Sequence, residues 1–270
     1  MTTSSIVMVS RIHPTAIVSQ EADLGRGVEI GPYAYIGPEA VVGEGTVIHH
    51  HACVEGATTI GPGCEIFPYA CLGLRTQDLK YKGGRPRLDI GSRNVFREFV
   101  TVHTATGDGD ETVIGDDNVF LGYTHIAHDC VIGNHIVASN HTILAGHVAV
   151  EDHAVFGGVA GVHQFCRVGT YAMVGAMAKV TQDTPPFMVV DGNPSAVRSF
   201  NRIAVERAGF SFEQVERVKF AFRALYREGL NRAQALEKIE SHPESCLDEI
   251  KCFLEFARLS SRGFVPGHRD

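Results

Sequence analysis

The chain has 270 residues, 44% of them hydrophobic and 20% charged, a composition that supports a buried core and excludes a disordered chain. Its formal net charge of −7 argues against a nucleic-acid-binding protein, because phosphate binding draws on a clustered basic surface. Apolar runs are too short to span a bilayer and the first ten residues lack the pattern of a signal peptide, so we expect a cytoplasmic protein with no integral membrane segment.

The dominant pattern is a repeat of six residues. Aliphatic side chains, with an occasional Phe or Ala, recur at every sixth position from 12 to 72 and again from 114 to 180. In the first run the residue four positions later is small or β-branched, so each hexad supplies two candidate core residues. A period of six without a helical 3.6-residue period predicts short strands joined by tight turns, whose stacked coils share one core. The predicted fold class is therefore mainly β, a hexapeptide-repeat solenoid.

Two stretches interrupt the repeat, residues 74–89 and 104–111, and both are rich in glycine and charged residues. We expect them to form loops outside the coils, where functional residues concentrate. The repeat ends after residue 184. This divides the chain into a β-solenoid, residues 1–184, and a helical C-terminal domain, residues 185–270.

The C-terminal domain has helical patterns of its own. Residues 211–229 predict a capped amphipathic helix, and residues 246–262 predict another. Between residues 195 and 234, eight Lys and Arg side chains stand against four Glu. Such a local basic excess is what an acidic partner protein requires.

The six-residue period also predicts which histidines lie together. If one coil holds 18 residues, residues 18 apart stack on neighbouring coils about 4.8 Å apart. The resulting cluster has one column of His128, Gly146 and Gln164, with His147 and His163 on the same face and His125 at the corner leading into it. A neutral imidazole takes a hydroxyl proton near pH 7, and a backbone N–H receives a developing oxyanion. This cluster favours acyl transfer.

The residues around this cluster resemble those of the UDP-N-acetylglucosamine acyltransferases of lipid A synthesis, a hexapeptide-repeat family. The matching strings are Thr124-His125-Ile126-Ala127-His128-Asp129-Cys130, Leu144-Ala145-Gly146-His147-Val148, Val162-His163-Gln164-Phe165 and Gln77-Asp78-Leu79-Lys80-Tyr81. The resemblance spans nearly the whole chain. It implies a left-handed parallel β-helix with three hexads per coil.

Carried over residue by residue, the resemblance implies a general base, its supporting carboxylate and an oxyanion donor: His128, Asp129 and the Gly146 N–H. It implies substrate-binding roles for Gln77, Asp78, Lys80, His103, His125, His147, His163, Gln164, Asn201 and Arg207. The implied donor is a 3-hydroxyacyl group on acyl carrier protein, and the implied acceptor is UDP-N-acetylglucosamine. The resemblance also implies a homotrimer with the site between subunits, and neither a cofactor nor a metal ion.

In the resembled family a side chain near the far end of the acyl groove limits chain length, and Ala176 matches that position. From the hexad that ends in His125 to the hexad that contains Ala176 is three coils, about 14 Å, or roughly a ten-carbon tail.

Several alternatives remain open at this point. Ile203 and Thr104 stand where the family carries an acidic residue and an Arg, and relatives that act on a 3-amino UDP-sugar form an N-acyl product. A second interpretation as an enzyme is the N-acyltransferase that acts later in the same pathway. That enzyme usually carries a large domain before the solenoid, whereas the repeat of this chain starts at Ile12. A hypothesis outside the enzymes is a non-catalytic solenoid that serves as an assembly scaffold, since fold alone does not specify function.

Other histidines and cysteines have simpler interpretations. His125, His128 and Asp129 provide an alternative zinc site, with His147 as the nearest further ligand. Elsewhere a lone histidine on a solenoid face is usually solvated or hydrogen-bonded, and this applies to His135, His141 and His153. The seven cysteines contain no C-x-x-C pair and are expected to be free thiols, with Cys64, Cys130 and Cys166 in the core.

Overall fold

The structure, a computed structural model, describes residues 10–268. The chain divides into two compact units, Met1–His135 and Ile136–Asp270, called here the N-terminal unit and the C-terminal unit.

The N-terminal unit consists of short strands in three parallel sheets. Its strands are β1 (Arg11–Ile12), β2 (Ile17–Val18), β3 (Asp23–Leu24), β4 (Glu29–Ile30), β5 (Tyr35–Ile36), β6 (Val41–Val42), β7 (Val47–Ile48), β8 (Cys53–Val54), β9 (Ala57–Ile60), β10 (Glu65–Ile66), β11 (Cys71–Leu74), β12 (Arg87–Ile90), β13 (Val95–Phe96), β14 (Thr101–His103), β15 (Glu111–Ile114), β16 (Val119–Phe120), β17 (His125–Ile126) and β18 (Val131–Ile132). Within the unit every third strand is a neighbour, as in β1-β4-β7, β2-β5-β8 and β3-β6-β9. This order is that of coils with three sides.

The register within these sheets explains the six-residue period. Ile12 pairs with Ile30, Ile30 with Ile48, and Ile48 with Ile66, always 18 residues on. The second residue of each strand points inward, and Ile30, Ile48 and Ile66 are at most 2% exposed. The small residue four positions later is buried too, as Ala34 is. Burial of these two positions from Val28 onward confirms the predicted core there. At the start of the described chain the prediction was wrong for Ile12, which is 47% exposed, and Val18 and Leu24 are only partly buried.

Two loops project between the strands and change the register. The first covers residues 75–86 and the second residues 104–110. Across the first loop partners are 30 residues apart, as in Ile60 with Ile90, and across the second they are 24 apart. The predicted bounds of both loops, 74–89 and 104–111, were too wide. Leu74 belongs to β11, residues 87–89 belong to β12 and Glu111 belongs to β15, and β12 pairs along its whole length with β9 and β15.

The C-terminal unit continues with coils and then with helices. Its strands are β19 (Val137–Ala138), β20 (Ile143–Leu144), β21 (Ala149–Val150), β22 (Val155–Phe156), β23 (Gly161–Val162), β24 (Arg167–Val168), β25 (Met173–Val174), β26 (Lys179–Val180), β27 (Met188–Asp191) and β28 (Ala196–Phe200). Within this unit the sheets are β19-β22-β25-β27-β28, β20-β23-β26 and β21-β24. β28 runs antiparallel to its partner, β27.

Four helices follow β28: α1 (Arg202–Arg207), α2 (Phe212–Tyr226), α3 (Arg232–Glu240) and α4 (Asp248–Leu259). The predicted helices over 211–229 and 246–262 are confirmed as α2 and α4, with shorter bounds. Ser211 caps α2 and forms a capping box with Gln214. This local sequence signal sets where α2 begins. The sequence did not predict α1 and α3. Among the described residues, no helix has the length and apolarity needed to cross a membrane.

The cysteines behave as predicted. Cys64, Cys130 and Cys166 are at most 1% exposed, in the small inward position of their hexads. Cys53 and Cys71 pair in register on neighbouring coils, and all seven cysteines are free thiols.

Candidate active site

A histidine and an aspartate are joined at a turn that follows β17 in the N-terminal unit. His128 Nδ1 lies 2.6 Å from Asp129 Oδ2, and their side chains are only 14% and 11% exposed. A carboxylate only accepts hydrogen bonds, so Nδ1 carries the hydrogen and the neutral ring has its lone pair on Nε2. This is the protonation pattern of a general base held by a supporting carboxylate.

Hydrogen bonds from the surrounding chain orient Asp129. Its backbone N–H donates to Thr112 Oγ1 at 2.8 Å, and its Oδ1 accepts from the Thr106 N–H at 3.3 Å. Asp129 has a φ of 60°, a left-handed conformation that Asp and Asn adopt more readily than most residues. The turn therefore presents the carboxylate to the imidazole in a defined geometry.

The loop over residues 75–86 brings a second carboxylate to the same imidazole. Asp78 Oδ2 lies 4.0 Å from His128 Nε2. The loop is shaped by its own hydrogen bonds, from the Asp78 N–H to Thr76 Oγ1 at 3.0 Å and from the Lys80 N–H to Asp78 Oδ1 at 2.9 Å. Asp78 thus faces the ring nitrogen that is not bound to Asp129.

Gln77 and Lys80 flank Asp78 in this loop. Both side chains are exposed. The structure therefore brings one of the three predicted loop residues next to His128 and leaves the other two at the surface of the N-terminal unit.

Two further histidines, His125 and His103, lie beside this pair. Thr101 and His125 are register partners, and Thr101 Oγ1 lies 2.8 Å from His125 Nδ1. The rings of His103 and His125 pack edge to face at 5.1 Å. Burial, with smaller contributions from His125 and His128, lowers the pKa of His103 to about 4. Burial followed by the charge of His128 lowers the pKa of His125, so both rings are neutral near pH 7.

The side chain of His103 has an unused polar atom. The residue is 3% exposed, yet its Nδ1 has no hydrogen-bond partner among the described residues. A buried polar group without a partner costs free energy. A polar ligand bound at this site would supply a hydrogen-bond partner for His103 Nδ1.

In the C-terminal unit, Gly146 and Gln164 occupy the same register on neighbouring coils. Three residues before them, Ile143 pairs with Gly161, and the Phe165 N–H donates to Gly146 O at 3.2 Å. This part of the predicted column is confirmed. Gly146 is buried and Gln164 is exposed.

His147 and His163 follow and precede these two residues. The ring of His147 stacks on that of Phe165 at 4.5 Å. His163 is exposed, and its Nδ1 lies 3.1 Å from an Nη2 of Arg262, near the C-terminal end of the described chain. Both predicted residues thus lie beside Gly146 and Gln164.

Of the three remaining predicted residues, Asn201 is the most constrained. Its Nδ2 donates to Tyr171 O at 2.8 Å, its Oδ1 accepts from the Ala204 N–H, and it caps α1. Ala176 is exposed at the turn between β25 and β26, and Arg207 is exposed in the last turn of α1.

Comparison with known proteins identifies the family. Residues 183–265 match the model described as UDP N-acetylglucosamine O-acyltransferase, domain 2, and residues 21–56 match the bacterial transferase hexapeptide model with six repeats. The acyl-[acyl-carrier-protein]–UDP-N-acetylglucosamine O-acyltransferase of Paracidovorax citrulli is 51% identical over 262 residues, which cover 95% of this chain and 100% of the relative. The chain belongs to this acyltransferase family. The enzyme of the same name from Pseudomonas syringae pv. tomato is 46% identical with the same coverage.

Solved structures of this acyltransferase family have the same fold. The UDP-N-acetylglucosamine acyltransferase of Francisella novicida is 35% identical, with a TM-score of 0.91 and coverage of 94% of each chain. LpxA from Acinetobacter baumannii is 38% identical, with a TM-score of 0.91 over 94% of this chain and 99% of that chain. The fold class is thus a mainly β chain with a left-handed parallel β-helix followed by helices. Membership of an enzyme family excludes the non-catalytic scaffold.

Sequence reasoning missed the residues that support the acyltransferase site. Thr101, Thr106 and Thr112 hold His125 and Asp129 through hydrogen bonds. Thr101 is 24 residues from His125 because the second loop lies between them, so counting by 18 does not find it. Arg262-Gly263 resembles the family as well, but sequence reasoning assigned Arg262 no role, because its contact with His163 joins residues 99 apart.

Proposed function

We propose that this acyltransferase moves a 3-hydroxyacyl group from acyl carrier protein to the 3-hydroxyl of UDP-N-acetylglucosamine, the first step of lipid A biosynthesis, in the cytoplasm. The observation that carries the proposal is the hydrogen bond between His128 Nδ1 and Asp129 Oδ2, 2.6 Å long. It leaves Nε2 as the proton acceptor. Relatives named for this substrate pair support the choice of donor and acceptor.

In the proposed mechanism the sugar hydroxyl attacks the thioester carbonyl. His128 Nε2 removes the hydroxyl proton as the oxygen–carbon bond forms, and the carbonyl oxygen becomes an oxyanion that accepts from the Gly146 N–H. Collapse of this intermediate restores the carbonyl and breaks the carbon–sulfur bond. The imidazolium of His128 then returns the proton to the departing thiolate, so that the products are the acylated sugar nucleotide and free carrier-protein thiol.

The carboxylates around His128 have distinct roles in this mechanism. Asp129 fixes the tautomer and faces the positive charge that appears on the ring. Asp78, 4.0 Å from Nε2, is placed to accept a hydrogen bond from the sugar beside the reacting hydroxyl. We assign the remaining predicted residues to substrate binding: Gln77, Lys80, His103, His125, His147, His163, Gln164, Asn201 and Arg207.

The basic segment over residues 195–234, which runs from β28 to the start of α3, is the proposed docking site for acyl carrier protein. Several of its cations are already paired within the protein, such as Arg217 with Glu249 and Lys219 with Glu216. Among the described residues, Arg198, Arg207, Arg227 and Arg232 form no ion pair; they are the cations that we assign to the acidic partner, whose attraction is electrostatic and falls with salt.

A direct assay tests the proposed function. Purified protein is incubated with UDP-N-acetylglucosamine and hydroxyacyl carrier proteins of several chain lengths, and the acylated nucleotide is detected by mass spectrometry. We expect an O-acyl ester. Exclusive transfer to the 3-amino analogue, or no transfer to either nucleotide, overturns the proposal.

Ala176 is the proposed limit on acyl chain length. Its side chain is exposed at a turn. In the proposed acyl groove, added volume at this position would leave room for a shorter chain, and removed volume would leave room for a longer one. We expect Ala176→Gly to shift the preference toward longer hydroxyacyl donors and Ala176→Met toward shorter ones, measured by competition between donors. Ala233→Met, at an exposed position of α3, is the control. An unchanged ranking in both Ala176 variants contradicts the assignment.

The proposed assembly is a homotrimer with active sites between subunits. We expect sedimentation and light scattering at micromolar concentration to give a mass of three chains of 29.3 kDa each. A monomer with full activity contradicts this proposal, because the site is then complete within one chain.

A further inference from the structure

A buried aspartate fastens the C-terminal segment to the end of the coils. Asp183 is 0% exposed. Its Oδ2 accepts from Ser260 Oγ at 2.6 Å and from the Arg262 N–H at 3.4 Å, while its backbone N–H donates to Gly263 O at 2.7 Å. A buried carboxylate with these partners holds residues 260–263 in one place. The backbone of Arg262 is therefore fixed within the C-terminal unit.

The side chain of Arg262 reaches from this anchored backbone to His163. Its Nη2 lies 3.1 Å from His163 Nδ1, and its carbonyl accepts from Gln182 Nε2 at 3.4 Å. No partner for His163 Nε2 is present among residues 10–268. Nε2 is thus the ring nitrogen that is open to a substrate.

The contact with Arg262 determines the tautomer of His163. A guanidinium only donates, so Nδ1 must accept and the neutral ring carries its hydrogen on Nε2. The carbonyl of Gln164 also lies 3.2 Å from Nδ1, but a carbonyl requires Nδ1 to donate. The two contacts exclude each other in a neutral ring. The contact with Arg262 is charge-assisted, which favours it over the contact with a neutral carbonyl.

We propose that Arg262 is a positioning residue that holds His163 as the Nε2–H tautomer, so that His163 donates a hydrogen bond to a substrate oxygen that only accepts. Without Arg262, the ring turns its Nδ1–H to Gln164 O, and Nε2 becomes an acceptor that repels the same oxygen. The proposal rests on the substrate-binding role of His163 given above. The oxygen belongs either to the acyl chain or pantetheine arm of the donor, or to the pyrophosphate of the nucleotide.

Nuclear magnetic resonance tests the tautomer without any need for activity. In protein labelled with ¹⁵N-histidine, the shifts of Nδ1 and Nε2 report which nitrogen is protonated, and the His163 signals are those missing in His163→Ala. We expect the Nε2–H tautomer in the unaltered protein and in Arg262→Lys, and the Nδ1–H tautomer in Arg262→Met. An Nε2–H tautomer in Arg262→Met overturns the proposal. The NMR measurement gives this answer even if the protein catalyses a reaction other than the proposed one.

Kinetics locates the substrate oxygen. We expect Arg262→Met to raise KM about 10-fold with little change in kcat, the effect of one lost hydrogen bond to substrate. A rise in KM for the acyl carrier protein places the oxygen on the donor, and a rise for UDP-N-acetylglucosamine places it on the nucleotide. Arg262→Lys, which keeps a donor, is expected to recover most of the loss.

A double variant separates positioning from a merely structural role. If Arg262 acts through His163, Arg262→Met has no further effect on KM in a His163→Ala background. Equal losses in both backgrounds contradict the proposal. Arg258→Met, an exposed arginine in the last turn of α4 that pairs with Glu240 at 3.4 Å, is the control and should keep unaltered kinetics.

Discussion

Replacing His128 with alanine is expected to lower the rate of acyl transfer by about 10²–10⁴-fold, the contribution of a general base. In the proposed mechanism Nε2 is the proton acceptor, because Nδ1 is hydrogen-bonded to Asp129 at 2.6 Å. The substitution removes the base without emptying the core, since His128 lies outside the inward positions of its hexad.

Steady-state kinetics with both substrates checks this expectation, and thermal unfolding checks the fold. The melting temperature should remain close to that of the unaltered protein. His13→Ala, at an exposed histidine on the first coil, serves as the matched control and should transfer acyl groups normally. Near-normal turnover in His128→Ala contradicts the proposed mechanism.

Asp129→Asn is expected to lower kcat by roughly 10³–10⁴-fold, the scale of the same exchange in hydrolytic triads. The Thr106 N–H donates to Oδ1 of Asp129, so the amide oxygen of the variant is held there and its NH₂ group faces His128 Nδ1. An NH₂ group donates, which forces the hydrogen of the ring onto Nε2. The base is then present but in the wrong tautomer.

The same variant is a conservative test of structure. Asparagine tolerates the φ of 60° found at this position, whereas Asp129→Ala introduces backbone strain as well as loss of the carboxylate. We therefore expect an unchanged melting temperature for Asp129→Asn and an inactive tautomer in the ¹⁵N spectrum of His128. An active enzyme with Nε2–H on His128 excludes the assigned role of Asp129.

The sequence by itself determined the parts of the molecule that depend on fixed local spacing. Burial of Ile30, Ile48 and Ile66 follows from the six-residue period, because an inward position recurs whenever three identical hexads close one coil. The start of α2 follows from Ser211 and Gln214, which satisfy free backbone groups within one turn. The family motif singled out His128 and Asp129. Their side chains can meet within one turn because the two residues are adjacent in the chain.

Tertiary structure alone decided which groups meet when their spacing departs from 18 residues. The first loop lengthens the spacing between partners to 30 residues, so periodicity cannot show that Asp78 lies 4.0 Å from His128. The contact between Arg262 and His163 spans 99 residues and exists because buried Asp183 holds the C-terminal segment. Local periodicity specifies neighbours at constant intervals, whereas loops and docked segments are placed by hydrogen bonds to residues that no interval relates to them.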